Sequence, residues 1–70
     1  LKLNEWRTVK KLSYVQLALK LGASHAGVVR RWCLDPKHQY YTIPNQEFMR
    51  NIVNMTDGAV QPNDFYKFHE

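Results

Sequence analysis

Ser13–Trp32 reads SYVQLALKLGASHAGVVRRW, two helix-forming segments split by a glycine, and the fold follows from how that stretch is punctuated. Ser13 and Gln16 stand three apart, the spacing of a capping box, and Leu12 and Leu17 occupy the flanking positions of a hydrophobic staple. Tyr14, Leu17, Ala18 and Leu21 then recur at i, i+3, i+4 and i+7, which predicts one apolar stripe along a helix. Gly22 supplies the left-handed residue that ends it. Beyond the break, Ser24 is expected to cap a third helix running to about Cys33, with Val28, Val29 and Trp32 available to the core. Gly27 is out of place there, because a glycine inside a helix costs about 1 kcal/mol relative to alanine.

Working outward, Leu3, Trp6 and Val9 recur every third residue, which predicts a short amphipathic helix over residues 3 to 11, starting near Asn4. Downstream, Asp35-Pro36 signals a turn, and residues 34 to 43 read as a loop or a short extended arm with a β-prone run at Tyr40 to Ile43. Pro44 and Asn45 open a fourth helix with Glu47 in its first turn and Phe48, Met49, Ile52, Val53 and Met55 on its buried side. Asp57-Gly58 ends it. The tail from Ala59 to Glu70 carries Val60, Phe65, Tyr66 and Phe68, too apolar a set for a solvated end. It either folds back over the bundle or pairs with a second copy of itself. The expectation is an all-α bundle of four to five helices over residues 1 to 58, followed by a short, partly extended tail over residues 59 to 70.

Seventy residues bury only about 60% of the surface of the unfolded chain, so the stability margin is thin. The single cysteine, Cys33, forms no internal disulfide, and dense helix packing or self-association must compensate. No apolar run is long enough to cross a bilayer, and the start lacks the hydrophobic stretch of a signal peptide, which points to an intracellular protein. Cys33 and His38 lack a third partner at metal-ligand spacing, and neither a phosphate-cradling glycine loop nor a pair of carboxylates is present. Catalysis, a metal, a cofactor and a small-molecule substrate are therefore not expected.

Charge is unevenly spread. Residues 1 to 37 hold eight cations against two acids, and residues 38 to 70 hold two cations against four acids, so halves of net +6 and −2 make up the total of +4. The basic half coincides with the two-helix stretch. That association suggests a polyanionic partner, although a solvated lysine face gives the same count.

In a helix-turn-helix unit a small residue lies where two helices cross and a glycine follows four residues later, as Ala18 and Gly22 do. The segments LNEW and LSYVQLALKLGASHAGVVRRWC resemble the DNA-binding domain of phage repressors of the Cro and repressor type. IPNQEFMRNIV and TDGAVQPNDFY are similar to the helix and tail that follow the motif in some Cro-like regulators. The resemblance covers most of the chain outside residues 34 to 42. The chain departs from the pattern around Ala26-Gly27, where it is one residue longer, and before Ile43, where it is several residues longer.

The resemblance implies an all-helical domain that binds operator DNA in a bacterial cell or phage-infected host, commonly as a symmetric dimer. With Val29 and Trp32 inward, the exposed side of the third helix is expected to centre near Ala26 and Arg30, and Arg30 stays outward if Val28 takes the inward place. Arg30 then reads a base, while Ser24, His25 and Gly27 stand where the helix enters the groove. Arg31, Lys10, Lys11, Lys20 and Lys37 are expected on phosphates, with Tyr14 and Gln16 at the start of the positioning helix. His38 could touch the flanking backbone. A rival use of the same fold is a protein-interaction adaptor that docks partners on the aromatic tail.

Overall fold

Each helix boundary has a local chemical cause, and the computed structural model describes residues 1 to 66. Helix α1 spans Leu3–Val9, and the Glu5 carboxylate at its start accepts from the Lys2 amide (2.8 Å). Lys11 takes a left-handed φ of 58° so that its own amide and that of Leu12 can turn back onto the carbonyls of Thr8 and Arg7. Helix α2 spans Tyr14–Leu21 and begins in the reciprocal cap expected of it. The Gln16 amide donates to Ser13 Oγ (3.1 Å), and the Ser13 amide donates to Gln16 Oε1 (2.8 Å). Gly22 ends it at φ 74°, and the Ala23 amide closes on the Ala18 carbonyl (2.9 Å).

Helix α3 spans Ala26–Trp32, and its N-cap is His25, not Ser24. Ala23 packs against the core, the chain bends at the exposed Ser24, and only His25 is extended before the helix begins. The Ser24 hydroxyl makes no hydrogen bond among the described residues. Helix α4 spans Gln46–Met55, capped by Asn45 Oδ1, which accepts from the Phe48 amide (2.9 Å). Its end repeats the device of α1: Asp57, at φ 55°, is the left-handed residue, and the Gly58 amide reaches the Val53 carbonyl (2.9 Å).

The four helices form the all-α bundle expected, with no strand among the described residues. Leu3, Leu17, Ala18, Leu21, Val29, Trp32, Met49 and Ile52 make one core, in which α2 packs on both α3 and α4. Trp32 meets Phe48 with ring centroids 5.2 Å apart, tying α3 to α4. Val53, expected on the buried side of α4, is only half-buried and faces a surface groove.

The tail adds to this core. Val60 (0% exposed) and Phe65 (2%) are buried in it, the latter from a 3₁₀ turn over Pro62–Phe65, where an extended tail was expected. Thr56 supplies the joint: its buried hydroxyl donates to the Ile52 carbonyl (2.8 Å) and accepts from the Val60 amide (3.1 Å). Of the tail side chains suggested as a contact with a second copy, Val60 and Phe65 are thus spent inside their own bundle. Phe68 lies outside the described residues.

Residues 34 to 40 bend and turn, and Tyr41 to Ile43 run on to α4 without forming a strand. The His38 amide donates to the Asp35 carbonyl (2.8 Å), the Tyr41 amide to the His38 carbonyl (3.0 Å), and the Tyr41 hydroxyl to the Phe65 carbonyl. The β-prone run is therefore recruited to hold the tail.

Candidate nucleic-acid interface

Helix α3 is oriented by its two inward anchors, Val29 (0% exposed) and Trp32 (5%). At 100° per residue their opposite side is occupied by Gly27, Arg30 and Arg31, all of which are exposed. Ala26, expected near the centre of that face, sits on its flank and is half-buried. It is displaced because Ala26 and Val29 are three apart, hence only 60° apart around the axis. Val28 flanks the other side, half-buried against the core.

Among the described residues, neither Arg30 nor Arg31 lies within ion-pair distance of a carboxylate or hydrogen-bonds through its guanidinium. Lys10, Lys20 and Lys37 are likewise unpaired and exposed. The helix dipole favours cations in the last turns of α2 and α3, at a few tenths of a kcal/mol up to about 1 kcal/mol each, and so accounts for part of their placement. Arg7 is the contrast. Its Nε donates to Asn4 Oδ1 (3.0 Å), a terminal nitrogen donates to the Leu12 carbonyl (2.8 Å), and the guanidinium lies 4.3 Å over the Tyr14 ring.

That clamp bears on Tyr14, which is half-buried beneath Arg7 at the α1–α2 corner. Gln16 is exposed, but its carbonyl oxygen is held by the cap, leaving only its amide hydrogens for a ligand. His25 is exposed and makes no side-chain cap, and its ring lies beside Gly27, with Nδ1 3.5 Å from where a Cβ would stand on that glycine. An alanine at position 27 therefore meets only ordinary van der Waals contact. Ser24, His25, Gly27, Arg30 and Arg31 form one continuous run along the exposed connection and the outer side of α3. Lys37 sits in the following turns, its amide donating to Asp35 Oδ1 (2.8 Å), and His38 Nδ1 accepts from the Tyr40 amide (3.1 Å). Lys10 caps the C-terminal end of α1, its ammonium 5.8 Å from the centre of the Trp6 ring.

Cys33 caps the C-terminal end of α3. Burial pushes its thiol up to about 11, outweighing the neighbouring Arg7 guanidinium, which pulls it down. It is held as a neutral thiol against the core. Burial likewise raises the Tyr41 hydroxyl, with the Tyr66 and Cys33 groups adding to the shift.

Two surfaces escaped the sequence reading. One is an open groove of about 440 Å³ between α4 and the tail, walled by Met49, Arg50, Val53 and Tyr66. The other is the exposed pair Val15 and Leu19, one turn apart on α2. The four-residue spacing of Val15 and Leu19 was visible in the sequence. The groove exists because the tail folds back, one of the two courses its apolar residues suggested, but no local signal placed it against α4. Among the described residues no helix is long and apolar enough to cross a membrane, and no group of three or more His, Cys, Asp or Glu residues could hold a metal ion. No family model, curated protein or solved structure matches the chain.

Proposed function

We propose that the chain is a sequence-specific, double-stranded DNA-binding transcriptional regulator of phage or prophage type, with α3 as the recognition helix. One observation carries this reading: Arg30 and Arg31 stand exposed and unpaired on the outer side of a helix that follows a glycine corner. Neither arginine is paired with any of the chain's five described side-chain carboxylates, so both guanidinium groups are available to a polyanion. Phosphate contacts from Lys10, Lys11, Lys20 and Lys37 set the orientation, and the outer side of α3 reads bases, with Arg31, expected on a phosphate, standing beside Arg30 on that side. The protein acts by occupying an operator, without chemistry of its own. A helix this short spans few base pairs, so two copies are required on an inverted repeat. For the adaptor reading, Phe65 is buried and Tyr66 is exposed, while Phe68 lies outside the described residues.

The test is an equilibrium titration of a selected inverted-repeat duplex and of its single half-site at several salt concentrations. The expected result is two protomers per inverted repeat and affinity that falls with a log–log slope of about −0.9 per neutralised phosphate. Four such contacts per protomer give roughly −3.6 on the half-site. Salt-insensitive binding, or no binding at low salt, overturns the proposal.

A further inference from the structure

We propose that the bases read by the outer side of α3 in each half-site are guanines, recognised through their major-groove N7 and O6 acceptors by Arg30 and Arg31. The inference rests on α3 being the groove-facing helix and adds to it the chemical identity of what is read. Each base edge in the major groove demands a different partner. Adenine requires a donor and an acceptor together, cytosine requires an acceptor, the thymine methyl requires an apolar contact, and guanine requires two donors.

The outer side of α3 itself meets only the last of these demands, Ser24 and His25 standing before its first turn. It carries Gly27, Arg30 and Arg31, and so presents no amide, carboxylate or apolar side chain. Ala26 and Val28, the nearest apolar residues, are half-buried on the flanks. The side-chain amides nearest along the chain lie off the helix: Gln39 stands seven residues beyond Trp32 in the following turns, and the acceptor of Gln16, ten residues before Ala26, is bound to the Ser13 amide. The guanidinium groups make no hydrogen bond among the described residues, unlike that of Arg7, which donates to Asn4 Oδ1 and the Leu12 carbonyl.

Geometry sets the number of bases. Arg30 and Arg31 diverge by 100° around the helix, so they cannot both fork onto one guanine. Two guanines per half-site are required, on neighbouring steps or on opposite strands. One turn earlier, Gly27 contributes no side chain, and the base pair beneath it is left without a direct contact from the helix.

The experiment is a randomised-duplex selection with the wild-type chain, Arg30→Ala and Arg31→Ala. It is followed by titration of the selected site with single guanines replaced by 7-deazaguanine, which pairs normally but lacks the N7 acceptor. The expected result is two guanine positions per half-site, each losing its preference by roughly 5- to 150-fold in one of the two variants. Each 7-deazaguanine should weaken the wild-type chain severalfold and leave the matching alanine variant unaffected. Selection of A·T pairs at the positions that respond to Arg30 or Arg31, or indifference to 7-deazaguanine, overturns the guanine assignment while DNA binding stands. Failure of the wild-type chain to bind any duplex at low salt overturns the DNA reading itself, and this inference with it.

Discussion

At the scale of single residues, Arg7 and Arg30 show how one side-chain type is put to two uses. Arg7 spends its donors on Asn4 and the Leu12 carbonyl and stacks on Tyr14, which joins two helices. Arg30 spends none among the described residues. Replacing Arg30 by alanine is therefore expected to leave stability within about 0.5 kcal/mol of wild type, as for surface positions generally. It should also relax sequence preference at one base position, whereas Lys20→Ala should weaken binding to all sequences alike. Binding isotherms on matched and mismatched duplexes check this, and equal, sequence-blind losses from both variants would remove base reading from Arg30. Cys33 allows a test that does not depend on DNA. Held as a neutral thiol up to about pH 11, it should react with iodoacetamide at pH 8 far more slowly in the folded chain than in denaturant. Because its folded pKa is raised, the stabilisation tied to the neutral thiol is complete below pH 9 and is lost as pH rises from 9 toward 11. Equal alkylation rates in both states would contradict the burial of Cys33.

At the scale of elements, α2 was the most legible part of the chain because its boundaries are written in adjacent residues. Ser13 with Gln16 starts it, Gly22 stops it, and both ends form as the local chemistry requires. Ser13→Ala should accordingly cost about 1 kcal/mol, within a range of 0.5 to 2 kcal/mol, in denaturant unfolding. Thr56→Val should cost about 1 to 3 kcal/mol, because it strips the buried Val60 amide of its partner. No loss from either substitution would show that these caps do not govern the two joints. Features decided by distant contacts were less legible. Ser24 looked like a cap, but the packing of Ala23 moved the start of α3 to Ala26 and handed the N-cap to His25. Tyr40 to Ile43 has strand-like residues, yet no strand lies beside it to pair with, and Tyr41 bonds the tail instead. The position of Ala26 was misjudged for a different reason: i and i+3 share a helix face, so a residue three before Val29 cannot be opposite it.

At the scale of the whole molecule, the tail decides what surface remains. A bundle this small needs Val60 and Phe65 in its own core, which removes them from any contact with a second copy. Its cations are concentrated in the half that contains α1, α2 and α3, and among the described residues those on the outer side of α3 meet no counter-charge. The fold class was legible because helical periodicity is local. The outer side of α3 became legible in full only once Val29 and Trp32 were placed. The measurement that bears most directly on α3 is amide chemical-shift mapping of the folded chain titrated with duplex DNA at low salt. Perturbations should concentrate at residues 24 to 31 and fade as salt is raised. Unmoved signals throughout that segment, with shifts instead around the groove of Met49, Arg50 and Tyr66 or nowhere at all, would contradict the DNA-binding role of α3.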